Sequence, residues 1–446
     1  MSEQSYDVAV VGAGPGGLVL TRQLAAKKAN FITLERHRDV GGVWDIDAPG
    51  SPMYDSAHFI SSKTLSGFSD YPMPDDFPDY PDHRKILGFI RNFAEHHGLR
   101  QHIRFNSEVV QARRDDDGRW SLELSDGSVI KARYLICANG VTWEPNLINW
   151  PGEFLGEIRH SVNYRSAREF EGKRVLIVGC GNSGVDIACD AAFAADNAFL
   201  STRRGYYFIP KHIMGVPADV FADRGPKLPF RLRQIVFGIL LRLIHGKPED
   251  YGMPTPDHRI LESHPLMNTQ ILHYIKHGDC TIKPGIKRFE GHDVVFEDGS
   301  REAIDLVITA TGYKHASPYL PDDAWDDKDG RPDLYMRLFS KKYDNLAVLG
   351  FVEFPSAAYQ NFEIMAELIV ADALASPDSW LSKKLNLMKQ GEEPDLKGGH
   401  SYVNSARHAN YVDVDRYKRE LARIKQEIGV STSAGSSGAA RVEAAS

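Results

Sequence analysis

Val8-Ala9-Val10-Val11 is an apolar run that breaks at once into Gly12-Ala13-Gly14-Pro15-Gly16-Gly17, and a stretch of helix-forming composition, Leu18 to Lys28, follows. The order strand, Gly-x-Gly-x-x-Gly, helix restricts the fold more than any other feature of the chain. Gly12 allows a tight turn, Gly14 lets backbone approach a diphosphate, and Gly17 lets the helix pack close on the strand. The unpaired N–H groups at the helix start, with the positive end of its dipole, then face the diphosphate. A plain strand–turn–helix would share these glycines. What separates the two readings is Phe31-Ile32-Thr33-Leu34, a second strand, with Glu35 at its end, 21 residues past Gly14. A carboxylate at that place accepts the ribose hydroxyls of an adenine dinucleotide; the alternative is an ordinary surface charge.

The pattern returns 167 residues later. Arg174 to Val178 is apolar after its first residue, Gly179-Cys180-Gly181-Asn182-Ser183-Gly184 repeats the turn, and Val185–Ala195 reads as helix. Two such units imply two dinucleotide sites. The second departs from the first at the end of its next strand, Ala198-Phe199-Leu200, where Ser201-Thr202-Arg203-Arg204 stands in place of an acid. Guanidinium groups suit a 2′-phosphate that a carboxylate would repel. The first site therefore reads as FAD and the second as NADPH, the alternative for Arg203 and Arg204 being two solvated charges.

With 446 residues the chain can hold two or three domains. A net charge of −7 offers no electrostatic ground for a nucleic-acid partner. The four cysteines, Cys137, Cys180, Cys189 and Cys280, have neither redox-pair nor metal-ligand spacing, so no metal is expected and the reducing cytoplasm fits. Seven residues before the first strand leave no room for a signal peptide. The longest apolar run, Ile235 to Ile244, is far shorter than the roughly 20 residues of a span. It reads as a buried or interfacial helix, with a membrane-surface or substrate-entry helix as the alternative.

Elsewhere Gly41-Gly42-Val43-Trp44 permits close backbone approach beside a large flat indole, or is simply a turn next to a core Trp. Residues 54–81 read as irregular, and Ile86 to Gly98 as an amphipathic helix. Ser107–Arg113 and Trp120–Leu124 read as hairpin strands, and Tyr134–Gly140 as a buried strand ending at small residues. Residues 205–266 loosen into an irregular insertion. Thr281–Lys283, Asp293–Phe296 and Asp305–Tyr313 follow as strands, the last echoing 134–140. Leu346–Gly350 reads as strand and Ser356–Ala373 as helix, and the Ser/Ala/Gly tail from Ser431 as disordered. Candidate cofactor contacts are Gly12, Gly14, Pro15, Gly16, Gly17, Glu35, Arg36, Gly42, Val43, Trp44, Val110, Ala138, Asn139 and Gly140 for the first nucleotide. Gly179, Gly181, Asn182, Ser183, Gly184, Arg203 and Arg204 serve the second, with Thr311, Gly312 and Tyr313 at the return strand.

Between the two turns lies Phe154-x-Gly156-x-x-x-His160-x-x-x-Tyr164. With this motif the chain resembles the class B flavin-containing monooxygenases, and Gly41–Trp44, Lys63 within Ser61-Ser62-Lys63, Phe68–Pro72, His258-Arg259, His264-Pro265 and Thr309–Tyr313 extend the likeness over residues 5–370. Tyr251–Pro254 and Ala310–Tyr313 also look like the plant YUCCA monooxygenases. The resemblance implies an α/β fold of two Rossmann-like, glutathione-reductase-type domains, the NADPH domain inserted into the FAD domain. The division expected is 1–150 (FAD, first part), 151–304 (NADPH, with the insertion at 205–266), 305–430 (FAD, second part) and 431–446 (tail).

The activity implied is FAD- and NADPH-dependent oxygenation of a small substrate by O2 at a soft nitrogen or sulfur atom, through a C4a-(hydro)peroxyflavin. The alternatives are Baeyer–Villiger or YUCCA-like oxidative decarboxylation of a carbonyl substrate, or uncoupled NADPH oxidation. A disulfide reductase of similar architecture would need a cysteine pair that this chain lacks. Tyr164 leans toward the heteroatom branch, since Baeyer–Villiger relatives usually carry Trp there. Phe154, Gly156, His160 and Tyr164 become a connector in which His160 organises rather than carries protons. Ser61, Ser62 and Lys63 are expected near the flavin–nicotinamide contact, the alternative being an ordinary polar loop. Many relatives have Asn three residues before the lysine, where this chain has Ile60. A homodimer through the apolar surface near Ile235–Ile244 is a possible assembly.

Overall fold

The computed structural model describes residues 4–430, apart from 227, 329, 355–357 and 404–407. The expected tail at 431–446 therefore lies outside the described residues, as does Ser356.

Strand β1 (Gln4–Val11), helix α1 (Pro15–Ala26) and β2 (Phe31–Leu34) open the chain. Helix α2 (His83–His96) and the short β3 (Ile103–Arg104) follow. Next come β4 (Val109–Arg114), β5 (Trp120–Leu124) and β6 (Val129–Cys137). In the second half of the fold stand β7 (Glu157–His160), β8 (Arg174–Val178), α3 (Asn182–Ala194) and β9 (Asn197–Ser201). Helix α4 (Phe230–His245), β10 (Cys280–Lys283) and β11 (Leu306–Thr309) complete it. The chain then returns through β12 (Leu346–Val348), α5 (Tyr359–Leu374), α6 (Trp380–Gln390) and α7 (Val414–Glu427).

Two sheets share one plan. In the first, β12, β6, β1, β2 and β3 are neighbours in that order, all parallel, with β5 and β4 added as an antiparallel hairpin beside β6. In the second the order is β7, β11, β8, β9, β10, again all parallel. Thus β1 and β8, each followed by a glycine turn and a helix, occupy equivalent places, as do β6 and β11. The equivalence extends to single hydrogen bonds: Gly12 N–H donates to Leu34 O and Gly179 N–H to Ser201 O, at 2.8 and 3.0 Å. Ala138 N–H to Val11 O and Ala310 N–H to Val178 O are both 2.8 Å. Parallel strands covered on both faces read as unbroken apolar runs, which is why Val8–Val11, Leu135–Cys137 and Leu306–Ile308 are almost wholly buried.

The chain crosses between the sheets twice, and the crossings are joined. Glu144–Pro145 pairs antiparallel with Tyr313–Lys314, and Asn146 N–H donates to Gly312 O at 2.9 Å.

Several expectations are corrected. The insertion at 205–266 is not irregular throughout: it contains Ala218–Arg224 as a helix and the sixteen-residue α4. Nor is α4 buried, because only Gln234 and Leu241 are enclosed. Helices α6 and α7 arise where none was expected, and Ile286–Glu290 adds a strand beside Asp293–Phe296. Helix α1 begins at Pro15 rather than Leu18, and α5 begins at Tyr359.

Candidate functional site

The first glycine turn is closed by contact rather than by side chains. Gly12 has φ +109°, and a Cβ there would meet Ala138 O at 2.5 Å. A Cβ on Gly17 would lie 1.9 Å from Gly12 O, whereas one on Gly14 would make only ordinary contact with the Gly42 backbone, 3.5 Å from its Cα. Gly17 is therefore a packing glycine beneath the turn, and Gly12, Gly14, Pro15 and Gly16 face a cleft. Helix α1 has Gly14 as its N-cap and so no side-chain cap, which leaves the N–H groups of its first turn for an anion.

Glu35 sits at the end of β2 with 4% of its surface exposed. It accepts Ala13 N–H at 2.6 Å and His37 N–H at 2.9 Å, one on each oxygen. Burial pushes its carboxyl above the ordinary range, against those two donors. Each oxygen keeps a further lone pair for a ligand hydroxyl. Arg36 lies over Trp143, 4.0 Å from its ring centroid, and both residues line the cleft.

The second turn repeats the first. Gly179 has φ +110° and a Cβ there would meet Ala310 O at 2.5 Å; one on Gly184 would meet Gly179 O at 1.9 Å. Helix α3 also begins without a side-chain cap. The Asn182 side chain is committed elsewhere, donating to Pro265 O at 3.2 Å and accepting Met267 N–H at 3.0 Å. Arg203 is exposed on the cleft wall, while Arg204 pairs with Asp257 at 2.9 Å.

Both turns open on the same cleft, of about 2030 Å³. A pocket for one drug-sized ligand is about 300–1,000 Å³, so this one has room for two nucleotides and a small molecule. Cradles that a single Cβ would fill, uncapped helix starts and a buried carboxylate at the first strand end suit FAD; the same cradle with a free arginine suits NADPH. Of the other expected residues, Val43, Trp44, Ser61, Val110, Asn139, Gly140, Thr311, Gly312 and Tyr313 also line the cleft, as does Ile60. Trp44, Phe59 and Tyr359 form an aromatic wall beside the first turn, with successive ring centroids 5.2 and 5.8 Å apart.

Ser62 and Lys63 are not brought to the cleft. Ser62 is enclosed and its N–H donates to Asp219 at 2.7 Å. The Lys63 ammonium, on the residue that opens a single helical turn, is held by the carbonyls of Asp75 and Phe77, to which it donates.

The connector residues act from behind the cleft. A Cβ on Gly156 would overlap Phe154 and Asp305 O, and Phe154 packs on Phe289 at 4.9 Å. His160 Nε2 donates to Gly312 O at 3.2 Å, and its Nδ1 accepts Val162 N–H at 3.2 Å. Burial lowers its pKa, in keeping with a neutral ring that fixes the 312 turn. Tyr164 OH donates to Asp190 at 2.8 Å and its ring stacks on Phe170.

Sequence reasoning missed the partners on α3. Asp186 accepts Tyr54 OH at 3.1 Å and the Asn268 amide at 2.6 Å, and Asp190 also accepts Ser56 OH at 2.5 Å. Burial raises both carboxyls. Two acids four residues apart in an otherwise apolar helix were the available signal. Sequence reasoning also missed a group drawn from four distant segments. His264, His315, Glu353 and His408 line the cleft, His315 Nε2 lies 3.5 Å from Glu353, and the His264 ring bonds the Tyr411 hydroxyl.

A family model described as flavin-binding monooxygenase-like matches residues 5–431. Flavin-containing monooxygenase 5 of Oryctolagus cuniculus is 30% identical over 444 residues, which cover 94% of this chain and 82% of that protein. The N-oxide-forming dimethylaniline monooxygenase 2 of Pan troglodytes is also 30% identical over 444 residues, covering 93% and 82%. Among solved structures, cyclohexanone-bound cyclohexanone monooxygenase in its rotated conformation superposes with a TM-score of 0.71 at 18% identity, covering 96% of this chain and 98% of that one. This last likeness concerns the fold alone.

Proposed function

The chain belongs to the flavin-binding monooxygenase-like family, NADPH-dependent oxidoreductases that bind FAD, and from that premise we propose that it transfers one atom of O2 to a soft nitrogen or sulfur atom of a small organic substrate. The observation that carries this reading is that two equivalent glycine turns, each starting a helix, open on one cleft.

Gly12, Gly14 and Pro15 would let the chain pass close to the diphosphate of FAD, Gly16 in the uncapped first turn of α1 would turn its backbone N–H toward it, and Glu35 would accept its ribose hydroxyls. Trp44, Phe59 and Tyr359 give the redox end of that site a wall that excludes water. Gly179, Gly181 and Ser183 play the diphosphate role for NADPH, and Arg203 takes the 2′-phosphate. His160 and the paired segments at 144–146 and 311–314 fix the turn between the two sites. Bound FAD supplies what the side chains cannot, acceptance of hydride from NADPH and activation of O2. Sheet membership supports a FAD unit assembled from the two ends of the chain around an NADPH unit in the middle, but β11 (Leu306–Thr309) belongs to the second sheet, so the return to the FAD unit falls after Thr309 rather than at residue 305.

Heteroatom chemistry is preferred over carbonyl chemistry because an N-oxide-forming enzyme stands among the curated relatives at 30% identity, whereas the ketone enzyme shares only the fold. Tyr164 in the connector points the same way. The test offers a tertiary amine, a thioether and a cyclic ketone to the FAD-loaded protein with NADPH and ¹⁸O-labelled O2. Product oxygen, NADPH consumed and hydrogen peroxide released are measured together. Labelled N- or S-oxide formed in step with NADPH use is expected. Preferential conversion of the ketone would replace this reading with the carbonyl one. Peroxide equal to NADPH consumed, whatever is added, would make the protein an oxidase, an outcome that Ile60 in the cleft wall makes worth measuring.

A further inference from the structure

Helix α4 turns its apolar side away from the protein. At about 100° per residue, Leu232, Val236, Ile239 and Leu243 fall in one narrow arc with Ile235 at its edge, and all five are exposed, Ile235 by 59% and Leu243 by 81%. Gln234 and Leu241, on the opposite side, hold the helix to the body. Gln234 donates to Ile260 O at 2.9 Å, and Leu241 enters a small apolar core with Ile213 and Ile260. A helix that only completed a core would have these sides reversed.

Charge placement narrows what can cover the stripe. Arg231 and Arg242 lie along one flank and Arg233 along the other; all three are exposed, and none forms an ion pair among the described residues. The sixteen residues of α4 include no Asp or Glu. A second copy docked stripe to stripe would set these arginines against one another with no acid from the helix to offset them. Their long stems can instead lie along an apolar layer while the guanidinium groups reach phosphate. Among the described residues no helix is long and apolar enough to cross a membrane, so the helix would lie along a surface.

We propose that the outward face of α4 docks in the plane of an anionic phospholipid surface, its apolar stripe among the acyl chains and Arg231, Arg233 and Arg242 at the headgroup phosphates. This rests on the helix alone and is independent of the chemistry in the cleft.

The experiment floats the full-length FAD-loaded protein with vesicles of phosphatidylglycerol and phosphatidylcholine in equal parts, and with vesicles of phosphatidylcholine alone. Light scattering of the lipid-free protein gives its association state. Wild type should float with the anionic vesicles and much less with the neutral ones, and salt should weaken the binding. Ile239→Glu with Leu243→Glu, and separately Arg231→Glu with Arg242→Glu, should each lower binding about tenfold or more. These side chains are exposed, so flavin content and NADPH oxidation should stay at the wild-type level. Failure to float, or equal flotation with both vesicle types, would overturn the proposal. So would self-association that Ile239→Glu with Leu243→Glu abolishes in a protein that ignores the vesicles.

Discussion

A methyl group on Gly17 would lie 1.9 Å from the carbonyl oxygen of Gly12. No rotamer relieves such an overlap with backbone, so the turn itself must move, at a cost of about 1–3 kcal/mol or more. Gly184 stands in the same relation to Gly179, also at 1.9 Å. Gly17→Ala should therefore yield protein with little bound flavin. Gly184→Ala should keep its flavin and raise the KM for NADPH about tenfold or more. Flavin absorbance per protein and steady-state NADPH kinetics separate the two. A Gly184→Ala protein with unchanged NADPH kinetics would remove the second nucleotide from that turn.

Lys389 and Asp372 form an ion pair at 2.7 Å with both side chains only 2% exposed. Tyr134 OH donates to the same carboxylate at 2.6 Å, and the ammonium also donates to Asp344 O at 3.0 Å. The pair ties α6 to α5 beneath β6. Asp372→Asn leaves a buried ammonium without its counterion, which costs about 3–5 kcal/mol. A clear fall in the urea midpoint is expected. Adding Lys389→Met should recover much of it, since the asparagine still accepts the tyrosine hydroxyl.

The sheets and their glycine turns were legible in the sequence because each requirement is local: strands buried on both faces need unbroken apolar runs, and Gly12 and Gly179 need positive φ. Helix α7 was also present as a pattern, Tyr417, Leu421, Ile424 and Ile428, but the charged residues between them obscured it. The direction of Lys63 was not legible. Two carbonyls twelve and fourteen residues away decide it, and nothing in Ser61-Ser62-Lys63 encodes them. The contact of His264 with Tyr411, 147 residues apart, exists only once α7 and the segment before it dock on the first sheet.

Acid should weaken the fold through His37. Burial, and then the neighbouring Arg36 guanidinium, lower its pKa from the ordinary 6.5 to about 4. Arg36 Nε donates to His37 Nε2 at 3.1 Å, which requires a neutral ring. The unfolded chain then binds the extra proton between about pH 6.5 and 4, so this contribution to stability is lost as pH falls through that window. Asp305, held down to about 2 by its hydrogen bonds to Arg174, adds a loss of the same sign below about pH 4. Asp186 and Asp190, raised by burial, act in the opposite sense and lose stability as pH rises. Melting temperatures between pH 7 and 4 should fall more steeply for wild type than for His37→Gln. Parallel curves would show that the imidazole does not titrate as described.

Arg203 and Arg204 are adjacent, yet only one is available to a ligand. Arg204 is paired with Asp257 at 2.9 Å, while Arg203 forms no ion pair among the described residues and stands on the cleft wall at the end of β9. A charge-assisted hydrogen bond contributes about 1.5–3 kcal/mol, and each 1.4 kcal/mol is about tenfold in affinity. Arg203→Ala should weaken NADPH about ten- to a hundredfold and leave NADH, which has no 2′-phosphate, nearly unchanged. Arg203→Lys should recover part of the loss, because a point charge still attracts phosphate without the planar fork. Arg204→Ala should have the smaller effect, since its charge is already answered by Asp257. Equal losses for NADPH and NADH in Arg203→Ala would mean that the guanidinium supports the strand end rather than reads the phosphate.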